Sequence, residues 1–147
     1  MDKRGTICQI KFFFDSNILV YLQDSNDEQK QQIARQLVSE QTKKQWAVIS
    51  TQVLQEFYNV TTTKLQQDKS IIKKCIRNFY TNIETVQISP QIIEHAIDIS
   101  VKIQCSFWDS LIIAAAVYAQ CNILYTEDLN DGQIIYGVKI VNPFKMN

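Results

Sequence analysis

A run of nine uncharged residues at 111–119, LIIAAAVYA, limits what this chain can become. Ser106-Phe107-Trp108-Asp109 precedes it, a Ser cap with an acid at the third helical position, so the segment reads as a helix. Being apolar on every side, that helix must be surrounded by protein. It has about half of the ~20 residues that a membrane span requires. Its three successive alanines, Ala114, Ala115 and Ala116, allow close approach to a sheet.

Strands for such a sheet are present as short apolar or alternating runs: FFF at 12–14, WAVI at 46–49, ETVQI at 84–88, ILYT at 123–126 and KIV at 139–141. Helical stretches separate them. Residues 17–23 form a short helix, and Asp27 caps a longer one to about Lys44. Ser50 and Thr51 open a helix with Val53, Leu54, Phe57, Tyr58 and Thr61 on its apolar stripe, and another runs from about Asp68 to Tyr80. Ser89-Pro90 starts a helix to about Ile103 that is expected to pack through Ile93, Ala96, Ile97, Ser100 and Val101. Alternating strands and helices imply right-handed crossovers and a three-layer α/β fold, a parallel sheet with helices on both faces. At 147 residues the chain reads as one domain, 1–147.

Acids fall where such a sheet binds ligands, at the carboxyl ends of its strands. Asp15 ends the first strand and Glu127-Asp128 follow the fourth, while Glu56 and Asp109 occupy early turns of helices that can begin on the same edge. Each also has a plain structural explanation, Asp15 and Asp109 as caps and Glu56 as a stripe-edge residue. If they converge, each close pair repels by about 4 kcal/mol at ~4 Å with an effective dielectric near ~20, so protons or cations must neutralise the cluster. Oxygen ligands without His or Cys select Mg²⁺ or Mn²⁺, and one or two such ions would activate water against a phosphodiester. Other chemistries lack their residues. Three glycines (Gly5, Gly132, Gly137) make no dinucleotide or P-loop pattern, Asp15-Ser16-Asn17 lacks the second acid of an aspartyl-phosphate phosphatase, and the sole histidine, His95, lies in a helix without partners.

Zero formal charge argues against a broad polyanion-binding surface. Lys69, Lys73 and Arg77, one turn apart, either meet RNA phosphates or form a solvated face. Asp98 pairs with Lys102 along its helix and is left out of the site. Cys8, Cys75, Cys105 and Cys121 have no metal spacing and read as buried thiols of a reducing compartment. With no signal-like or spanning segment, a cytoplasmic location away from membranes is expected.

Taken in order, FFFDSNILVY at 12–21, STQVLQEFYNVTTTK at 50–64, SFWDSLIIAAA at 106–116, LYTEDLNDGQ at 124–133 and VNPF at 141–144 closely resemble the PIN-domain family, in particular the VapC-like ribonuclease toxins of toxin–antitoxin pairs. The resemblance implies that Asp15, Glu56 and Asp109 are metal ligands. It also implies a fourth acid at Asp128, with Glu127 and Asp131 as alternatives, and Ser16 and Thr126 as hydrogen-bonding neighbours of ligands or phosphate. Asn17 is expected to be a helix-start residue with a supporting role at most. The implied activity is Mg²⁺- or Mn²⁺-dependent endoribonuclease action on RNA, including structured RNA such as tRNA, restrained by a cognate antitoxin, with homodimers common in the family. The competing readings are a PIN-like module that binds without hydrolysis and an RNA-processing nuclease that is not a toxin.

Overall fold

The computed structural model describes residues 9–145, so Cys8 lies outside the described residues. In chain order the elements are β1 (Phe12–Phe14), α1 (Ser16–Tyr21), α2 (Glu28–Lys43), β2 (Ala47–Ser50), α3 (Thr51–Thr63), α4 (Lys69–Asn82) and β3 (Glu84–Val86). There follow α5 (Pro90–Ile103), α6 (Phe107–Tyr118), β4 (Ile123–Tyr125), β5 (Ile134–Ile135), β6 (Val138–Val141) and a 3₁₀ turn at Pro143–Lys145.

Local chemistry sets the helix ends. Among the described residues, each of the six α-helices starts on an Asp or Ser whose side chain accepts a hydrogen bond from a first-turn N–H: Asp15, Asp27, Ser50, Asp68, Ser89 and Ser106. Glycine is too scarce to end them. Gln45, Gln104 and Gln120, just past α2, α5 and α6, take the left-handed conformation instead, at φ of 62°, 59° and 59°. Each costs on the order of 1 kcal/mol, which tertiary packing must offset.

The strands lie in the order β3-β2-β1-β4-β6-β5, with β1 parallel to both β2 and β4. Successive side chains point to opposite faces, and the consecutive pairs Phe13-Phe14 and Val48-Ile49 are all buried, so both faces are covered. Ala114, Ala115 and Ala116 of α6 are fully enclosed, and this helix packs against α5 and β2. Chain order reverses at β1 and β4, which makes their carboxyl ends the topological switch point.

Three expectations need correcting. The sheet is not wholly parallel, because β5 pairs antiparallel with β6 through Tyr136-Gly137, both at positive φ (48° and 84°), the geometry of a two-residue primed turn. Helix α5 buries Ile92, Ala96 and Ile99, leaving Ile93, Ile97 and Val101 exposed; it carries two apolar stripes, and tertiary packing chooses between them. Of the described cysteines only Cys121 is buried, while Cys75 and Cys105 are half-buried. Among the described residues no single helix is long and apolar enough to cross a membrane.

Candidate functional site

The site begins where β1 stops. Asp15 leaves the strand in extended conformation, its N–H still donating to the Tyr125 carbonyl of β4 at 3.0 Å, and its carboxylate caps α1 by accepting from Ser16 N–H at 2.6 Å. The second oxygen accepts from Thr126 Oγ1 at 2.8 Å. Asp15 is only 4 % exposed, and burial pushes its carboxyl up to about 7. The two hydrogen bonds pull the other way without prevailing, and the Glu56 and Asp128 charges add to the rise.

Around this carboxyl, three further segments supply one acid each. A pit of about 300 Å³ is lined by Asp15, Glu56, Asp109 and Asp128 together with Ser16, Asn59 and Trp108. Glu56 stands on α3, its Oε1 accepting from Ser16 Oγ at 2.9 Å and its Oε2 from Gln52 Nε2 at 3.2 Å. Asp109 sits in the first turn of α6, where burial raises its carboxyl, a Ser106 hydrogen bond lowers it and the Asp128 charge raises it. Asp128, beyond β4, receives Asn17 Nδ2 at 3.0 Å, while its N–H donates to Thr126 Oγ1 at 3.1 Å.

The neighbouring acids are engaged elsewhere. Glu127 accepts from Tyr21 Oη at 2.6 Å and from Lys30 Nζ at 3.0 Å, and Asp131 accepts from Asn142 N–H at 2.8 Å, fixing the turn beside β6. Of the three candidates for a fourth acid, Asp128 is the one that lines the pit. Lys69, Lys73 and Arg77 are exposed along α4, and none of them lines the pit.

One contributor escaped the sequence reading. Gln52, placed on the polar side of α3, is 4 % exposed and bridges Glu56 to the Trp108 carbonyl at 3.0 Å. Its position one turn before Glu56 was the available signal. Asn17, at the start of α1, takes a supporting position, its amide reaching Asp128 and, at 3.4 Å, Thr126.

Chemically, the lining offers carboxylate oxygens and no imidazole, thiol or cationic side chain. That donor set fits a hard divalent cation, which completes its shell with water. Among the described residues no three acids converge on a ready-made ion position, because Glu56 is drawn toward Ser16 and Gln52 and Asp128 toward Asn17.

A family model described as PIN domain matches residues 12–131. No curated protein matches the chain in sequence. Solved structures do share its fold. VapC20 of Mycobacterium tuberculosis, a Sarcin-Ricin loop cleaving toxin, aligns with a TM-score of 0.67 at 18 % identity over 80 % of this chain and 92 % of its own. A toxin–antitoxin complex from Klebsiella pneumoniae gives 0.67 at 23 % identity over 90 % and 98 %. DNA-bound VapBC from Salmonella typhimurium gives 0.65 at 18 % identity over 89 % and 96 %.

Proposed function

The chain belongs to the PIN-domain family, and from that premise we propose that it is a metal-dependent endoribonuclease, the toxin of a toxin–antitoxin pair acting in the cytoplasm. The observation that carries the reading is the gathering of Asp15, Glu56, Asp109 and Asp128 from four segments into one pit at the switch point of the sheet. These four residues would hold one or two Mg²⁺ or Mn²⁺ ions. A bound ion of this kind supplies a nucleophilic water at neutral pH and charge stabilisation at the phosphate.

The protein's own groups prepare the site. Thr126 and the Ser16 N–H hold the Asp15 carboxylate in one orientation, from the side and from the head of α1. Ser16 Oγ and Gln52 hold the two oxygens of Glu56, which leaves this acid placed to bind metal or to orient the attacking water. Asn17 holds Asp128, the most exposed of the four and the one best placed to act through a second ion or a bound water.

The partner reading, a cognate antitoxin, extends to this chain what the similar Klebsiella pneumoniae structure is, a toxin–antitoxin complex. The apolar stripe left on α5 by Ile93, Ile97 and Val101 supports a second copy of the chain as a further partner. One observation favours the alternative, a PIN fold that binds without hydrolysis: as they stand, the acids are spread among hydrogen-bonding neighbours. Cleavage separates the two. Purified protein should cut RNA in Mg²⁺ or Mn²⁺ and stop on chelation. If RNA stays intact in either metal while the protein is folded and free of partner, the non-hydrolytic module is the better reading.

A further inference from the structure

Beside the acid pit runs an open groove of about 360 Å³, lined by Gln52, Gln55, Glu56, Asn59 and Trp108. Glu56, Asn59 and Trp108 also line the pit, so the two hollows are continuous. Trp108 is 62 % exposed, a large aromatic surface left to solvent one residue before Asp109. It is nonetheless held. Its ring meets Phe107 edge-on at 5.3 Å and 70°, and its carbonyl accepts from the buried Gln52 amide that also grips Glu56.

We propose that this groove receives one unpaired nucleobase of the RNA, next to the phosphate engaged at the acids, with Trp108 as the stacking platform and Gln55 and Asn59 as readers of the base edge. The inference rests on the nuclease reading and adds a specificity site to it. The lining chemistry argues for a base over other occupants. No cation lines the groove and Glu56 does, so a phosphate would be repelled there. No aliphatic side chain lines it either, so an apolar helix of a protein partner would find little to bury against. An indole face and exposed amides, each amide both donor and acceptor, match the flat face and mixed edge of a splayed-out base.

The test uses a mixed-sequence single-stranded RNA oligonucleotide as probe. Trp108→Ala should raise KM about tenfold with kcat changed less than about twofold, and Trp108→Phe should restore most of the loss. A second arm does not depend on cleavage. In Asp15→Asn protein the same oligonucleotide should quench tryptophan fluorescence, and an abasic RNA of equal length should not. The quenching should disappear when Trp108→Phe is added, leaving Trp46, which packs edge-on to Phe12 beneath Lys44. Equal quenching by abasic RNA, or an unchanged KM in Trp108→Ala, overturns the proposal even if the enzyme cuts RNA. So does a Trp108→Ala defect confined to binding a protein partner. Base-dependent quenching by a protein that cuts nothing would keep this groove and remove the nuclease reading.

Discussion

Asp15 and Glu127 both follow parallel strands that are neighbours in the sheet, yet the protein treats their charges in opposite ways. Glu127 is given a lysine. Lys30 reaches it at 3.0 Å, Tyr21 donates to it, and the same ammonium lies about 5 Å from the ring centres of Tyr21 and Phe144, so the charge is matched and the group is locked. Asp15, far more buried, is held only by the neutral donors Thr126 and Ser16, and two further acids stand close enough to raise its carboxyl. A buried carboxylate without a counter-ion is costly, and structural carboxylates are normally paired. On the proposed metal-dependent reading, that difference assigns Glu127 to the scaffold and Asp15 to the cation site.

The contrast is broken most directly by neutralising each acid in turn. Asp15→Asn should lower the rate of RNA cleavage by at least ~10³-fold, the scale on which centrally placed catalytic groups act, while Glu127→Gln should change it less than ~5-fold. Comparable losses in a cleavage time course would show that the two carboxylates are not functionally distinct.

A smaller effect concerns stability in the absence of metal. Burial holds the Asp15 carboxyl up at about 7 in the folded chain, against 3.8 for a solvated aspartate, so the native state keeps a proton that the unfolded chain releases between those values. Stability from this group is therefore fully present below about pH 4 and is lost as pH rises through 7. In chelator, Asp15→Asn should melt on the order of 5 °C above wild type at pH 8, with the gap closing toward pH 4. A gap of the same size at both pH values, read by thermal denaturation, would remove Asp15 titration as its cause.

The smallest expected effect lies on the scaffold side. Lys30→Met should cost no more than about 1 kcal/mol, since its ion pair with Glu127 is partly solvent-exposed and its aromatic contacts are only partly lost. Denaturant titration checks this, and a loss several times larger would mean that Glu127 is buried at real expense, like Asp15.

Much of this arrangement was legible because it depends on local rules. The run 111–119 had to be an enclosed helix, and Ser50, Ser89 and Ser106 fall where capping chemistry starts α3, α5 and α6. Illegible features depend on choices made by packing. Ile93, Ile97 and Val101 form as regular a stripe as Ile92, Ala96 and Ile99, and periodicity does not rank two stripes on one helix. The β5–β6 hairpin turns at Tyr136-Gly137, where tyrosine at the first positive φ replaces the Asn or Gly that signals such a turn. Within the site, the roles of Glu127 and Asp131 depended on Lys30, Tyr21 and Asn142, distant in sequence, so the choice of fourth acid waited on tertiary structure.

The central claim is that the uncompensated acids await a divalent cation, and calorimetric titration of metal-free protein with Mn²⁺ at pH 8 tests it most directly. Wild type and Glu127→Gln should bind one or two ions with similar affinity, and Asp15→Asn should bind at least ~10-fold more weakly. Absence of Mn²⁺ binding by folded wild type, or undiminished binding by Asp15→Asn, would contradict the account.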